Sequence, residues 1–554
     1  MSHSGNNETN SIADMIRKTV ILLVCCAFPM LLWSVPARRD ARKVQQADGT
    51  YVTVYAHGDE HFSWLTNAAG EWIEKNAEGN YVVMDENRKR DAQSRMREAR
   101  LAPQAVQTPT PLNVLPRGLV VLAEFQDVHF STPKETMDSM LNAENFYREY
   151  TYIYPGTTNE YTIKANGSVR KYFEASSHGA YSPKFDVIGP LRVGKNMKYY
   201  GENPSANSRD KNIKDFVTEL CEQLVALSKS NKIDLTQYDA DNDGFIDYLG
   251  IIYAGYGEAD GGGENTIWPH KYEVTYYKTI TEQGKTFRIY NCNPEMNAYT
   301  QHYMGIGTFC HEFGHVLGLP DIYSTDGNTV HKTCGEWDIM DYGCYVNEGD
   351  TPPGYTGYER FFFDWAKPRL LKEAENVTLN PLMKSNEVLM ITATGNSNMK
   401  GNDPDPNVFY ILDNRQQTGF DSHIPGHGML LTKINYVYGT WKGNSVNKVA
   451  NDLHIDLIEA DGWAPEFDGE TRTWFGKPGD AFPAGAKEYK GIKDYPLTDI
   501  KETDGVITFR VKGGVPTGNE IVETTTDEVR KEIRNGRLVI IKDVKVMTPT
   551  GIVL

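Results

Sequence analysis

The chain has 554 residues, of which 40% are hydrophobic and 24% charged, and its formal net charge is -17. A chain of this length usually divides into several domains, and its balance of apolar and charged residues excludes global disorder. The acidic charge excludes nucleic acid as a partner, because binding phosphates requires Lys and Arg that release counterions.

The N-terminus has the pattern of an export signal. Arg17 and Lys18 precede an apolar run over 19–32, and Val35-Pro36-Ala37 follows as a small-residue cleavage site. We therefore predict a signal peptide over residues 1–37 and contact with a membrane only through this signal. A membrane helix, for which the run is short, and a lipoprotein signal are the alternatives.

A small β-rich unit and a linker are predicted next. Alternating residues at 50–55 and later apolar runs are separated by turn residues, and a charged stretch at 88–100 leads into a Pro-rich segment at 103–116. This order predicts a removable propeptide with its linker over residues 38–112. The alternative is a solvated helical connector.

The region 113–372 is predicted to be a mixed α/β catalytic domain, because strand and helix patterns alternate along it. Predicted strands lie at 119–125, 185–193 and 248–253, and predicted helices lie at 169–175, 213–227 and 305–317. The dipeptide Gly189-Pro190 interrupts one strand and places it at a sheet edge.

The texture changes from about residue 376, where short apolar runs are split by Gly, Asn, Asp and Pro. This pattern predicts a β-sandwich-like C-terminal domain over 373–515. Residues 516–554 are predicted to be a linker and a C-terminal tail.

The segment 311–321 carries the strongest chemical pattern in the chain. His311 and His315 lie four positions apart, so on a helix both imidazoles face one side and can bind one cation. Two His nitrogens suit zinc, which needs one further protein ligand at an open catalytic site. Glu312 is predicted to be the general base for a zinc-activated water that attacks a peptide carbonyl.

The third ligand is predicted from the turn that follows this helix. Gly318 adopts positive φ cheaply, so the chain can turn back and bring Asp321 to the metal. The sequence 337–343 resembles the metzincin loop that places a Met beneath zinc, which predicts Met340 as an apolar floor and Tyr342 as an oxyanion donor. The alternative is an amphipathic helix with satisfied histidines and a tyrosine that only packs.

A second metal pattern lies just before the predicted strand at 248–253. Carboxylates alternate around Gly244, which permits a sharp turn, and they make an oxygen-rich calcium loop that lacks the twelfth-position Glu of an EF-hand. The predicted ligands are Asp239, Asp241, Asp243, Phe245 and Asp247. The alternative is a hydrated acidic turn.

Seven cysteines are few for a chain of this length, and five lie beyond the predicted signal. An odd number leaves at least one unpaired or intermolecular. Cys334 and Cys344 are the only pair considered for a local disulfide, and small buried hydrophobes are the expectation for the others.

At this point the sequence resembles the immune inhibitor A family of secreted bacterial metallopeptidases. The resemblance covers roughly residues 115–465 and departs from the family at Thr432-Lys433-Ile434, where relatives usually have a Trp-His pair. It is carried by 311–323, 337–343, Thr351-Pro352-Pro353-Gly354-Tyr355, Tyr358-Glu359-Arg360, 267–271, Asn414-Arg415-Gln416 and Pro425-Gly426-His427-Gly428.

The resemblance implies a zinc endopeptidase that is made as a zymogen with structural calcium and is secreted or placed at the bacterial cell surface. The segment His57-Gly58-Asp59-Glu60 looks like the family's propeptide, and 535–543 looks like a sorting tail of type nine secretion. The expected fold is an α/β (α+β) metzincin-like zinc peptidase domain with a propeptide and a β-rich C-terminal domain.

The expected partners are protein or peptide substrates, and the sequence leaves the oligomeric state open. Two other functions remain as alternatives. One is a cell-surface binding or adhesion protein with a vestigial peptidase domain, against which the intact Glu312 speaks. The other is a zinc hydrolase that acts on a bond other than the peptide bond.

Overall fold

The structure is a computed structural model that describes residues 34–59, 62–76, 78–101, 116–154, 158–203, 210–325, 331–462, 475–515 and three strands between 529 and 547. Most of the predicted signal peptide and of the Pro-rich linker lies outside the described residues. Among the helices of the described residues, none is both long and apolar enough to cross a membrane.

An antiparallel sheet with one following helix forms the N-terminal unit. The sheet has the order β1-β2-β3-β4-β5, and Phe62 packs beside Trp64 and Trp72 on one of its faces. The elements are β1 (Arg42–Gln45), β2 (Tyr51–Gly58), β3 (Ser63–Thr66), β4 (Trp72–Lys75), β5 (Tyr81–Val83) and α1 (Glu86–Leu101).

The middle region alternates strands and helices around one five-stranded sheet. The strands are β6 (Arg117–Glu124), β7 (Tyr147–Ile153), β8 (Glu160–Asn166), β9 (Lys184–Arg192), β10 (Phe245–Ile246), β11 (Leu249–Tyr256), β12 (His270–Glu273), β13 (Thr281–Glu282), β14 (Lys285–Phe287) and β15 (Ile289–Met296). The helices are α2 (Lys134–Asn142), α3 (Val169–Ser176), α4 (Met197–Gly201), α5 (Ile213–Lys229) and α6 (Gly307–Leu317). The mixed α/β architecture predicted for this region is confirmed.

The main sheet has the order β12-β15-β11-β6-β9. Its strands are parallel except β12, which runs antiparallel to β15. Strand β9 lies at one end of this order and carries a register shift beside Gly189-Pro190, so the predicted edge position is correct.

Helices cover both faces of the main sheet, and the alternation of side chains along β6 explains why. Leu119 and Val121 enter a core shared with α5, whereas Val120 and Leu122 enter a core shared with α6. A strand buried on both faces is continuously apolar, as β6 is. This packing fixes the position of α6 on one face of the main sheet.

The C-terminal region forms two further sheets with the orders β16-β18-β19-β20-β21 and β17-β23-β22. The strands are β16 (Arg369–Leu370), β17 (Glu375–Leu379), β18 (Leu389–Thr392), β19 (Val408–Arg415), β20 (Gly428–Asn435), β21 (Ile455–Leu457), β22 (Leu497–Thr503) and β23 (Val506–Val511). The helices of this region are α7 (Gly357–Phe362), α8 (Leu382–Ser385) and α9 (Tyr438–Lys442).

The five-stranded sheet of this region is buried on both faces. Leu412 and Leu431 pack toward the second sheet in one core, whereas Ile411 and Leu430 belong to the core that contains α6. The C-terminal sheets therefore pack directly against the region that carries the His motif. At the end of the chain, β24 (Val529–Arg534), β25 (Arg537–Lys542) and β26 (Lys545–Met547) form an antiparallel sheet.

The five described cysteines are all free and buried. The disulfide considered between Cys334 and Cys344 is therefore wrong, and both thiols act as small apolar groups in the core.

Candidate metal centre

Helix α6 ends in a turn that returns the chain toward the helix's own side chains. Gly318 has φ of 110°, and the amides of Gly318 and Leu319 both donate to the carbonyl of Gly314 at 3.0 Å. This is the glycine-capped ending predicted from the sequence, and it satisfies carbonyls that the helix leaves open. It positions Asp321 beside the helix it has just left.

Three side-chain atoms meet at this turn. The Nε2 atoms of His311 and His315 are 3.1 Å apart, and each lies 3.1 Å from Oδ1 of Asp321. All three side chains are fully buried. The structure thus brings together the three residues predicted as zinc ligands.

Each imidazole is oriented by its other ring nitrogen. Nδ1 of His311 donates to the carbonyl of Ile339 at 2.7 Å, and Nδ1 of His315 donates to the carbonyl of Leu319 at 2.8 Å. These bonds assign the proton to Nδ1 and leave a lone pair on Nε2, which is the arrangement seen in metal-ligating histidines.

The donor set fits a zinc ion. Two Nε2 lone pairs and a carboxylate oxygen are all acceptors, so they cannot satisfy one another at 3.1 Å. A buried cation satisfies all three, and zinc bonds of about 2.0–2.1 Å suit such closely spaced atoms.

Asn444 is a residue of this centre that the sequence did not indicate. Its Oδ1 accepts from the backbone amide of Asp321 at 2.6 Å, and its Nδ2 donates to Oδ2 of Asp321 at 2.5 Å. Asn444 is 4% exposed and comes from the C-terminal region. It fixes the carboxylate so that Oδ1 points at the two histidines.

Met340 lies against α6, as the predicted Met-containing turn requires. It is fully buried, its carbonyl accepts from the amide of Ile322 at 2.8 Å, and a side chain at Gly314 would meet its sulfur at 2.7 Å. Gly314 therefore lets the turn approach the helix closely. Tyr342 packs its ring against Phe475 with centroids 4.6 Å apart, and its oxyanion role stays a prediction.

Glu312 is fully buried and lies beside the histidines on α6. Its Oε1 accepts a hydrogen bond from the backbone amide of Val35 at 2.9 Å, and its Oε2 has no hydrogen-bond partner among the described residues. Burial, reinforced by the charge of Asp321, raises the pKa of Glu312 well above its usual range.

The donor to Glu312 belongs to an N-terminal segment, residues 34–39, that is buried along its whole length. Trp268 donates to the carbonyl of Val35 at 3.3 Å, and Tyr323 and Tyr345 donate to the carbonyls of residues 34 and 36 at 2.7 Å each. The segment thus lies across Glu312 with its main chain bound. Cleavage after residue 37, as predicted for the signal peptide, would remove the contact with Glu312.

The predicted calcium loop is brought together only in part. Carboxylate oxygens of Asp239, Asp241 and Asp247 lie within 4.8 Å of one another. Lys285 already pairs with Asp239 at 2.5 Å, and Asp243 instead faces Arg288 at 3.3 Å. Burial raises the pKa of Asp247 to about 7, as expected for a carboxyl surrounded by other carboxyls.

The Phe245 amide donates to Oδ1 of Asp243 at 2.8 Å, and Phe245 begins the short strand β10. Neither residue joins the group of three carboxylates. Their roles as calcium ligands remain predictions.

The arrangement at α6 is typical of a metallopeptidase centre. One helix carries two histidines that face a common point, with a carboxylate between them in sequence. A buried aspartate meets the histidines, and a Met-containing turn lies against the helix. The family model described as "Immune inhibitor A peptidase M6, catalytic domain" matches residues 115–367. This match confirms the resemblance to the immune inhibitor A family that the sequence predicted.

Two curated relatives each match less than half of the chain. The pre-pro-metalloprotease PrtV of Vibrio cholerae serotype O1 is 29% identical over 253 residues, which cover 42% of this chain and 27% of PrtV. Immune inhibitor A of Bacillus thuringiensis subsp. alesti is 27% identical over 278 residues, covering 44% of this chain and 39% of that protein. The chain therefore spans well under half the length of these relatives.

Proposed function

We propose that the chain is a secreted zinc-dependent endopeptidase. One observation carries this proposal: three buried acceptor atoms converge at 3.1 Å beside a buried glutamate, inside a domain of the peptidase M6 family. One relative, PrtV, is named a pre-pro-metalloprotease, and the other is named immune inhibitor A. Proteins or peptides are the proposed substrates.

His311, His315 and Asp321 would hold the zinc ion, and Asn444 would keep the Asp321 carboxylate turned toward it. When bound there, zinc supplies Lewis acidity that activates water and polarises a peptide carbonyl at neutral pH. The low solvent exposure of all four side chains keeps these electrostatic effects strong.

Glu312 would move the protons of the reaction. Burial beside an anion makes this carboxylate a stronger base than an exposed glutamate, because its pKa is raised. It accepts the proton of the attacking water and returns it to the leaving amine. The amide of Val35 marks the position of a hydrogen-bond donor beside Glu312, which is where a departing amine needs to lie.

We further propose that the protein is made as a zymogen in which residues 34–39 block the centre. The segment occupies Oε1 of Glu312 and is held by Trp268 and two tyrosines, so a substrate main chain cannot reach the glutamate. On this proposal the signal peptide is removed before residue 34, and the β1–β5 unit with α1 belongs to the propeptide. The region 113–372 would have a metzincin-like fold.

The loop with Asp239, Asp241 and Asp247 is proposed as a structural calcium site. Three carboxylates within 4.8 Å form the oxygen-rich group that calcium prefers. For calcium to enter, the ammonium of Lys285 has to leave Asp239, since both are cations that compete for one oxygen group.

The proposed function is tested with the full chain after activation by limited proteolysis. We expect hydrolysis of an unstructured protein such as casein, complete loss with a zinc chelator, and recovery with stoichiometric zinc. Mass spectrometry of the protein recovered from the culture medium would identify both processing sites. Undiminished hydrolysis after full chelation would contradict the proposal, and ester or glycan hydrolysis without peptide hydrolysis would redirect it to another bond.

A further inference from the structure

We infer that the path now occupied by residues 34–39 contains an acidic subsite, lined by Asp260, Glu348 and Tyr299, that selects an arginine side chain of the substrate. This inference rests on the proposed endopeptidase function and adds a substrate preference to it. The observation behind it is the side chain of Arg38, which the N-terminal segment places in this pocket, three residues along the chain from the amide that binds Glu312.

Arg38 is enclosed by groups that recognise a guanidinium. Its Nη1 lies 2.6 Å from Glu348 Oε2 and 3.5 Å from Asp260 Oδ1, and its guanidinium carbon lies 4.1 Å above the ring centre of Tyr299. The side chain is only 3% exposed. Two carboxylates and an aromatic face fit the planar charge of arginine better than the compact ammonium of lysine.

The two carboxylates are positioned by the enzyme itself and not by the arginine. Glu348 Oε1 accepts from the hydroxyl of Tyr152 at 2.7 Å, and Asp260 Oδ2 accepts from the amide of Ala298 at 3.0 Å. In each carboxylate, one oxygen thus accepts a hydrogen bond from the surrounding protein and the other faces the pocket. Such a pocket keeps its shape and charge when Arg38 leaves.

The neighbouring charges leave the pocket negative. Arg148, on strand β7 like Tyr152, is paired with Asp350 at 2.9 Å and lies against the ring of Tyr303 at 4.0 Å. Asp40 also contacts Arg38, but it belongs to the N-terminal segment and would leave with it. Departure of the segment therefore exposes Asp260 and Glu348 without an arginine partner of their own.

The backbone at Glu348 is held in an uncommon conformation. Its φ is 60°, in the left-handed region that few residues other than glycine adopt, and the preceding residue Asn347 has φ of 51°. Asn347 stabilises this bend by donating to the carbonyl of Lys164 at 3.2 Å and to Thr351 at 3.0 Å. Strain of this kind persists where the surroundings fix it, and here it directs the Glu348 carboxylate toward Arg38 in the pocket.

The main chain of the segment shows that the pocket belongs to the substrate path. Between Glu312 and the pocket, the carbonyl of Pro36 is bound by the hydroxyl of Tyr345, whose ring also lies 5.9 Å from the Arg38 guanidinium. A substrate that reaches Glu312 has to use the same path. Three residues of extended chain span about 10 Å, so the selected arginine lies about three positions from the residue beside Glu312.

The test measures kcat/KM of the activated full chain on peptides in which one arginine is moved through the positions on either side of the scissile bond. Matched peptides carry citrulline, the neutral isostere, or lysine. We expect one position at which arginine is cleaved roughly 30-fold or more faster than citrulline, because an uncompensated buried charge is costly. Lysine is expected to fall between them.

Variants of the pocket separate recognition from catalysis. Glu348→Gln and Asp260→Asn should lower the arginine to citrulline ratio at that position, with the larger loss for Glu348→Gln, whose carboxylate is closer. The zinc content and the far-ultraviolet circular dichroism of both variants should equal those of the wild type, which shows that they fold and bind zinc. The exposed variant Glu373→Gln should keep the ratio of the wild type.

Equal rates on arginine and citrulline peptides at every position would overturn the inference. The pocket would then serve only to hold Arg38 of the N-terminal segment, and the proposed function would be unaffected. If no peptide is hydrolysed, binding decides instead. A peptide with the sequence of residues 35–40 is titrated into the activated Glu312→Gln protein by calorimetry, with arginine or citrulline at position 38. Equal affinity of these two peptides would overturn the inference.

Discussion

The two candidate cation sites of this chain differ in how far the fold has prepared them. At α6, three acceptor atoms meet at 3.1 Å in a fully buried setting, and each is oriented by a second partner. In the aspartate loop, carboxylate oxygens of three residues lie within 4.8 Å of one another, but Asp241 is exposed and Lys285 already neutralises Asp239.

This difference is the one we expect between the proposed zinc centre and the proposed calcium site. Acceptors that cannot satisfy one another need a cation at all times, whereas a loop with its own ammonium is stable with or without calcium. We therefore expect changes near α6 to affect activity and zinc binding, and changes in the loop to affect stability alone.

The largest expected effect comes from Glu312→Gln. The amide keeps the size of the side chain but cannot accept a proton, so kcat should fall by roughly 10²- to 10⁴-fold. The zinc content should be unchanged, since Glu312 is not among the three converging ligands. Peptide hydrolysis by the activated protein measures the loss, and a variant that keeps more than a tenth of the activity would argue against this role.

Asn444→Ala should weaken zinc binding by about 10- to 100-fold, the range for loss of a partner that orients a metal ligand. The reason is that Asp321 would lose both the donor to Oδ2 and the acceptor for its amide. Competition with a chromophoric chelator measures the affinity. The exposed Asn451→Ala serves as a matched control, and equal affinities of the two variants would show that Asn444 has no such role.

The sequence predicted those contacts of the centre that join residues close together along the chain. His311, His315, Gly318 and Asp321 lie within eleven residues, so helical periodicity and a glycine turn were sufficient to bring them together. Asn444 contacts Asp321 across 123 positions, and no local pattern marks an asparagine that only packing brings there.

The range of each contact also separates the features that the sequence predicted from those that it did not. The sequence placed the boundaries of the main strands and helices to within a few residues, because buried periodic patterns are local. It did not foresee that Arg288, 45 positions away, would hold Asp243, or that residues 34–39 would lie across Glu312. Nor did it foresee that Asn444 and a sheet packed against α6 would come from 373–515, the region predicted as the C-terminal domain.

Calcium should raise the melting temperature of the full chain by roughly 2 °C at a concentration of about 100 times its Kd. Asp239→Asn should remove most of this shift while leaving the zinc content unchanged, because the loop and α6 share no ligand. Calorimetry with calcium or a calcium chelator checks the effect, with the exposed Asp452→Asn as the control. An equal shift in both variants would mean that the calcium binds elsewhere.

The smallest expected effect is that of Lys285→Met on the same loop. Loss of the ammonium that competes for Asp239 should strengthen calcium binding by up to about fivefold, the scale of a partly exposed ion pair. Isothermal titration of wild type and variant gives the ratio. Weaker calcium binding in the variant would show that Lys285 assists the loop instead of competing with calcium.

Binding of one zinc ion by His311, His315 and Asp321 is tested most directly by elemental analysis of the purified full chain. We expect one zinc per chain in the wild type and in Glu312→Gln, and none in His311→Ala or His315→Ala. A wild type without transition metal, or a histidine variant that retains a full equivalent of zinc, would contradict the account.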